Sequence, residues 1–138
     1  MKVVLDTNVF ISGVFFSGPP FEILKAWLDK KIQIIISSEI LHEYKRVGEE
    51  LSYRYPEIEI SPILESFAKK AISIPAPSLP HPVCVDSDDD KFLACAVAGN
   101  TELIISGDKH LLDIKEFQGI KIVKPRKFVD EYLLFGII

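Results

Sequence analysis

The strongest constraint on this chain is a recurring pattern of short apolar runs, each stopped by a polar or turn-forming residue and most followed by a stretch with helical spacing. Val3-Val4-Leu5 stops at Asp6-Thr7-Asn8, and residues 32–36 stop at Ser37-Ser38. Residues 72–74 stop at Pro75, residues 103–106 at Gly107-Asp108, and residues 120–123 just before Pro125. Runs this short and this apolar read as strands buried on both faces, and strands that alternate with helices imply βαβ units and a parallel sheet. The expected fold is a three-layer α/β/α sandwich with a central, mainly parallel sheet of four or five strands. At 138 residues the chain is the size of one domain, expected to span 1–138.

The helical stretches are marked by their punctuation. Ser17-Gly18-Pro19-Pro20 splits the first from the second, in which Phe21, Leu24, Ala26, Trp27 and Leu28 keep helical spacing. Ser37 or Ser38 is the expected cap of a third helix with an apolar stripe of Ile40, Leu41, Tyr44 and Val47. A fourth is expected to start at Pro62 and run to about Lys70. Four prolines (Pro75, Pro77, Pro80, Pro82) make residues 75–85 a stiff surface connector. Phe92, Leu93, Ala96 and Val97 mark a helix closed by Gly99-Asn100, and Pro125 opens the last, through Tyr132 and Leu133.

Hydrophobic residues at 48% and charged residues at 26% exclude a largely disordered chain. No apolar run approaches the roughly 18 residues that cross a bilayer, so no membrane association and a cytoplasmic location are expected. Cys84 and Cys95 are too few for a disulfide scaffold and have no Cys/His partners for zinc, which leaves them as small buried hydrophobes. The net charge of −4, taken by itself, argues against a nucleic-acid partner. Seven of the 20 acidic residues, however, fall in motifs: Asp6, Glu43, Asp86, Asp88, Asp89, Asp90 and Asp108. The other 13 face 16 Lys and Arg, so the remaining surface is mildly basic.

Those motifs sit where chemistry is expected. In an open parallel sheet, ligands bind beyond the carboxyl ends of the strands, and Asp6 and Asp108 both follow a strand. Each could simply cap a helix, but two in equivalent places weaken that reading. At about 100° per residue, Glu43 lies roughly 60° from Ile40 and roughly 40° from Val47, so it borders the core and either faces a polar cavity or carries an unpaired, costly charge. Asp86, Asp88, Asp89 and Asp90 put four carboxylates in five positions at a helix start. Capping by Ser87 or Asp88 accounts for one or two, and mutual repulsion among the rest is relieved by a hard cation such as Mg²⁺ or Mn²⁺. The spacing is neither that of an EF-hand nor that of a phosphate-binding P-loop.

Asp6-Thr7-Asn8, Glu43, Asp90-Lys91-Phe92-Leu93-Ala94 and Ser106-Gly107-Asp108, in that order along the whole chain, resemble the PIN-domain family, and in particular the PIN-type toxins of toxin-antitoxin pairs. The resemblance implies strand order 3-2-1-4-5 and an endoribonuclease in which four acids, Asp6, Glu43, Asp90 and Asp108, hold one or two Mg²⁺ or Mn²⁺ ions. Asn8 and Ser106 are then polar helpers. Asp89 projects nearer the apolar stripe than Asp90; Asp90 ranks first because Leu93-Ala94 falls at the family's spacing after it. An RNA substrate, a protein antitoxin and a homodimer, drawing on Phe15, Phe16, Phe21 and Trp27, are the implied partners. His42 and His110 read as surface histidines, and Lys45, Arg46 and Arg54 as either phosphate contacts or a solvated face. The alternative is a non-catalytic PIN-like module that binds metal or RNA. An aspartate-nucleophile phosphatase is disfavoured because Asn8 stands where its second aspartate belongs.

Overall fold

In a computed structural model, which describes residues 1–134, strands and helices alternate as the sequence implies. The last four positions of the expected 1–138 domain lie outside the described residues. The strands are β1 (Lys2–Leu5), β2 (Gln33–Ile36), β3 (Ile72–Ser73), β4 (Leu103–Ile105), β5 (Glu116–Phe117) and β6 (Ile120–Val123). They form one sheet in the order β3-β2-β1-β4-β6-β5, parallel throughout except for β5 against β6. The five expected strands therefore keep the order 3-2-1-4-5, and a sixth, β5, is added at the edge. Its two residues are too few to show a period. Gln118 and Gly119, at φ 50° and 83°, turn the chain directly back into β6, as a two-residue hairpin loop requires.

Helices flank the sheet: α1 (Thr7–Phe15), α2 (Pro19–Leu28), α3 (Ser38–Ser52), α4 (Ile60–Lys70), α5 (Asp90–Ala98), α6 (Lys109–Ile114) and α7 (Pro125–Phe128), which continues as a π-helical turn, Val129–Leu133. The fourth helix starts two residues before Pro62, which lies in its first turn, where a missing amide costs nothing. Ser37 caps α3, its hydroxyl accepting from the Ile40 amide at 3.4 Å. The buried residues of α2 are Ile23, Leu24 and Ala26; Phe21 and Leu28, expected on the same stripe, are exposed, and Trp27 is half-buried against Phe67. The turn separating α2 from β2 and the close packing of α1 on α2 set this rotation, which spacing alone left open.

The core is the fully buried sheet, Val3, Val4, Leu5, Ile34, Ile35, Ile36, Ile104 and Ile105, closed on one flank by an aromatic stack. Phe10 of α1 lies parallel to Tyr44 of α3, centroids 4.3 Å apart, and tilts against Phe67 of α4 at 4.6 Å. Such pairs add to the area they bury and lock three helices in one arrangement. Cys95 is buried and Cys84 half-buried, both as free thiols.

One close approach tests this packing. A Cβ on Gly13 of α1 would lie 2.6 Å from Leu24 Cδ1 and 2.8 Å from the Pro20 carbonyl oxygen of α2. Leu24 can move, but the carbonyl belongs to the first turn of a helix. Gly→Ala in an open helix gains about 1 kcal/mol. Gly13→Ala should instead lose about 1–3 kcal/mol by overpacking, read as a lower urea midpoint with an unchanged slope.

Candidate active site

The pairing of β1 with β4, Leu5 opposite Ile105, brings the two strand ends level. The Asp6 amide continues the ladder to the Ile105 carbonyl at 3.0 Å, and the Ser106 amide to the Val123 carbonyl at 3.0 Å. Asp6 and Ser106 thus leave the sheet side by side, both buried. Asp6 stands at the N-cap of α1, yet its carboxylate makes no capping bond. Oδ2 accepts instead from Ser106 Oγ at 2.7 Å, and the same Oγ accepts from the Asp108 amide at 2.9 Å. Asp108 does cap α6, accepting from the His110 amide at 2.9 Å. Burial pushes the Asp6 carboxyl above its ordinary range. The hydrogen bonds from Ser106 and the Thr7 amide pull it back in part, and the charges of Asp108 and Glu43 push it further up.

Glu43 enters from α3. Its neighbour Tyr44 is fully buried, and the Tyr44 hydroxyl donates to the Leu5 carbonyl at 2.5 Å, pinning the helix to the end of β1. Glu43 is half-buried, as its position beside the apolar stripe implies, and both its oxygens are engaged. Oε2 accepts from the hydroxyl of Thr7, and Oε1 from Lys91 Nζ at 2.5 Å. Lys91 also reaches Asp88 Oδ2 at 3.1 Å, and its side chain is only 8% exposed. Sequence reasoning missed Thr7 and Lys91. Thr7 is legible as the polar neighbour of Asp6, but nothing local in the sequence relates Lys91 to a glutamate 48 positions away.

The acidic run forms a 3-10 turn, Ser87–Asp89, leading into α5. Its cap is Asp86, which accepts from the Asp88 amide at 3.0 Å, rather than Ser87 or Asp88. Asp89 and Asp90 point in different directions. The Asp90 carboxylate accepts from the amides of Cys84 at 2.7 Å and Val83 at 3.2 Å, tying the proline-rich connector to the start of α5. Slight desolvation raises its pKa, but these bonds with the Cys84 thiol and amides prevail, and the carboxyl lies below its ordinary range. Asp89 instead feels the carboxylates of the cluster. Burial, then Asp6, Asp108, Asp86 and Glu43, push it up to about 6. The expectation that Asp90 faces the other acids therefore differs from its observed direction, because the connector's unpaired amides claim its carboxylate.

The remaining sequence-derived residues lie further out. Asn8 is exposed, as are His42, His110, Lys45, Arg46 and Arg54. Arg46 forms outer ion pairs with Glu50 at 3.6 Å and Glu43 at 3.9 Å. Among the described residues, Asp6, Asp89 and Asp108 form no ion pair with any Lys, Arg or His. Nor, among the described residues, do three His, Cys, Asp or Glu side chains converge closely enough to hold a metal ion as they stand. The donor set nonetheless suits a hard divalent cation. Its groups are oxygen ligands, and the burial and mutual repulsion that raise Asp6 and Asp89 are what such a cation relieves.

Comparison with known proteins places the chain in a family. Residues 2–110 match the PIN domain family, so the span from Asp6 through Asp108 lies inside the match. An uncharacterised protein of Methanocaldococcus jannaschii is 33% identical over 147 aligned residues, covering 98% of this chain and 94% of that protein. VapBC2 from Rickettsia felis, in a crystal structure bound to a DNA fragment from their promoter, superposes with a TM-score of 0.53. That likeness covers 90% of this chain and 98% of the other at 16% identity, and shows a shared fold. The chain belongs to the PIN-domain family, whose members are generally nucleases. No helix among the described residues is long and apolar enough to cross a membrane.

The raised Asp89 carboxyl has a measurable consequence. Its folded pKa of about 6 exceeds the ordinary 3.8, so its protonated form stabilises the fold below about pH 4, and that stabilisation is lost as pH rises through 6. Asp89→Asn should raise the melting temperature of metal-free protein at pH 7.5 and have no effect at pH 4. A variant less stable than wild type at pH 7.5 would show that Asp89 is held by a partner rather than repelled.

Proposed function

We propose that this chain is a metal-dependent endoribonuclease that hydrolyses RNA phosphodiester bonds, with Asp6, Asp89 and Asp108 as the ligands of a Mg²⁺ or Mn²⁺ ion and Glu43 beside them. The observation that carries the reading is the set of acids at the carboxyl end of the sheet, Asp6, Asp89 and Asp108, whose charges meet no cation among the described residues. Burial first, and the charges of Asp6 and Asp108 second, push Asp89 up to about 6. In a family whose members are generally nucleases, such a cluster, with Glu43 beside it, is suited to holding a divalent cation. A bound divalent ion would polarise a phosphate and make water a better nucleophile near neutral pH.

The chain's own residues supply the rest. Ser106 fixes the Asp6 carboxylate by its 2.7 Å bond and the Asp108 backbone by its 2.9 Å bond, so two ligands are oriented by one hydroxyl. Asp90 acts as a clamp. By holding the Val83 and Cys84 amides it sets where the 3-10 turn carries Asp89. Exposed Lys45, Arg46 and Arg54 offer positive charge on and after α3 to the backbone of a single strand. The site opens at the strand ends, where a nucleic acid can approach without entering a closed pocket.

A toxin role with a separate protein antitoxin is the finer part of the proposal. It is supported by the resemblance to PIN-type toxins and by the shared fold with VapBC2. A homodimer is supported by an apolar cavity of about 450 Å³ among α1, α2 and α4, whose rim carries the exposed side chains of Phe21, Leu28 and Ile63. Phe15, in contrast, is buried, while Phe16 is exposed and packs edge-on against Tyr55 outside this cavity.

The reading is tested by cleavage of single-stranded RNA with and without Mn²⁺. Asp6→Asn and Asp89→Asn should each lower turnover by at least 100-fold, on the order expected for removing a charge that acts in the transition state, while both variants stay folded. Asp90→Asn should cost less, since its one remaining acceptor oxygen can keep the shorter bond from Cys84, only the longer bond from Val83 is lost, and no metal ligand is removed. Undiminished cleavage in excess EDTA would overturn the metal reading, and equal losses at Asp89 and Asp90 would overturn the division between ligand and clamp. For the assembly, light scattering should give twice the chain mass of 15.5 kDa. An active 15.5 kDa species would refute the dimer.

A further inference from the structure

We propose that the Lys91 ammonium is a built-in cation of the acidic site: seated on Glu43, it takes the place of a second divalent ion, so that the site holds one metal ion, on the Asp6, Asp89 and Asp108 side. This rests on the metal reading above and specifies its stoichiometry.

Three observations carry the inference. First, Lys91 is desolvated. Its side chain is 8% exposed, against a residue type that is almost never buried unless paired. Its Nζ lies 2.5 Å from Glu43 Oε1 and 3.1 Å from Asp88 Oδ2, with the Phe92 ring centroid 5.5 Å away. Second, the other Glu43 oxygen already accepts from Thr7, so each oxygen of this carboxylate has a donor from the protein. Third, the charges divide into two groups. Glu43 and Asp88 are paired with Lys91, whereas Asp6, Asp89 and Asp108 have no ion-pair partner among the described residues.

A divalent ion on Glu43 would have to displace the ammonium or sit against it. The first strands a buried lysine, and the second sets two cations side by side in a partly desolvated site. Lys91 differs from a metal in that it cannot dissociate or act as a Lewis acid. It is therefore a positioning residue: it holds the Glu43 side chain against α5 and keeps part of the site's positive charge in place. Its attachment one residue after Asp90 and two after Asp89 links that charge to the turn that carries the Asp89 carboxylate.

The test is the number of Mn²⁺ ions bound per chain, measured by titration calorimetry on the full chain at low ionic strength. Wild type should bind one ion. Lys91→Met and Lys91→Gln should each bind two, the second ion taking the vacated place beside Glu43 and Asp88, and Lys91→Arg should return to one. Lys91→Gln keeps a hydrogen-bond donor for Glu43, so it carries the test if Lys91→Met does not fold. Metal-free Lys91→Gln should melt below wild type and gain more from saturating Mn²⁺ than wild type does. A merely structural lysine would change the melting temperature and leave the stoichiometry at one, which overturns the inference. Two ions in wild type also overturn it while leaving the metal reading intact. No ion in wild type overturns the metal reading and this inference together.

Discussion

The pairing of β1 on β4 is the constraint from which the candidate site follows. Because Leu5 stands opposite Ile105 in a parallel ladder, the next residues, Asp6 and Ser106, must leave the sheet at the same height and on the same edge. A shift of one residue would turn the side chains of one strand to the other face and break the Ser106 bond to Asp6. The ladder itself is built from Val, Leu and Ile that are almost wholly buried, so the register is held by the core and the site inherits its precision. One hydroxyl then serves two carboxylate-bearing segments, which is why a buried serine here is more than a polar residue tolerated in a core.

The helices bring the other charges to that edge by separate means. Tyr44 fixes α3 to the Leu5 carbonyl and, through its stack on Phe10, to α1, and Glu43 is carried along as its sequence neighbour. The 3-10 turn is fixed from the opposite side, where Asp90 binds two amides of the connector. Each positioning contact spends one polar group on geometry so that an adjacent residue, Glu43 or Asp89, can face the cluster. The adjacent pairs Glu43/Tyr44 and Asp89/Asp90 thus have the same division of labour between a residue that anchors and one that faces the site.

Gathering carboxylates at one edge works against stability. Burial, and after it the acidic neighbours, push Asp6 and Asp89 up, so the metal-free protein near neutral pH holds partly desolvated like charges close together. Lys91 relieves only the part that involves Glu43 and Asp88. The remainder is the kind of electrostatic imbalance that marks functional sites, because charge left unneutralised by the fold is available to a ligand.

The local pattern of the sequence determined the class of fold, the five principal strands, the Ser37 cap and the main breaks between helices, and the positions of Asp6, Glu43 and Asp108 at strand ends or beside an apolar stripe. These depend on backbone preferences and hydrophobic periodicity, which act over a few residues. The exposure of Phe21 and Leu28, the edge strand β5 and the different surroundings of Asp89 and Asp90 were decided by tertiary structure. So was the seating of Lys91 on a glutamate from another helix. Adjacent aspartates at a helix start are nearly equivalent in propensity and capping. What separates them is which one meets the free amides of a connector docked from elsewhere in the chain, and that docking exists only once the sheet and helices are assembled.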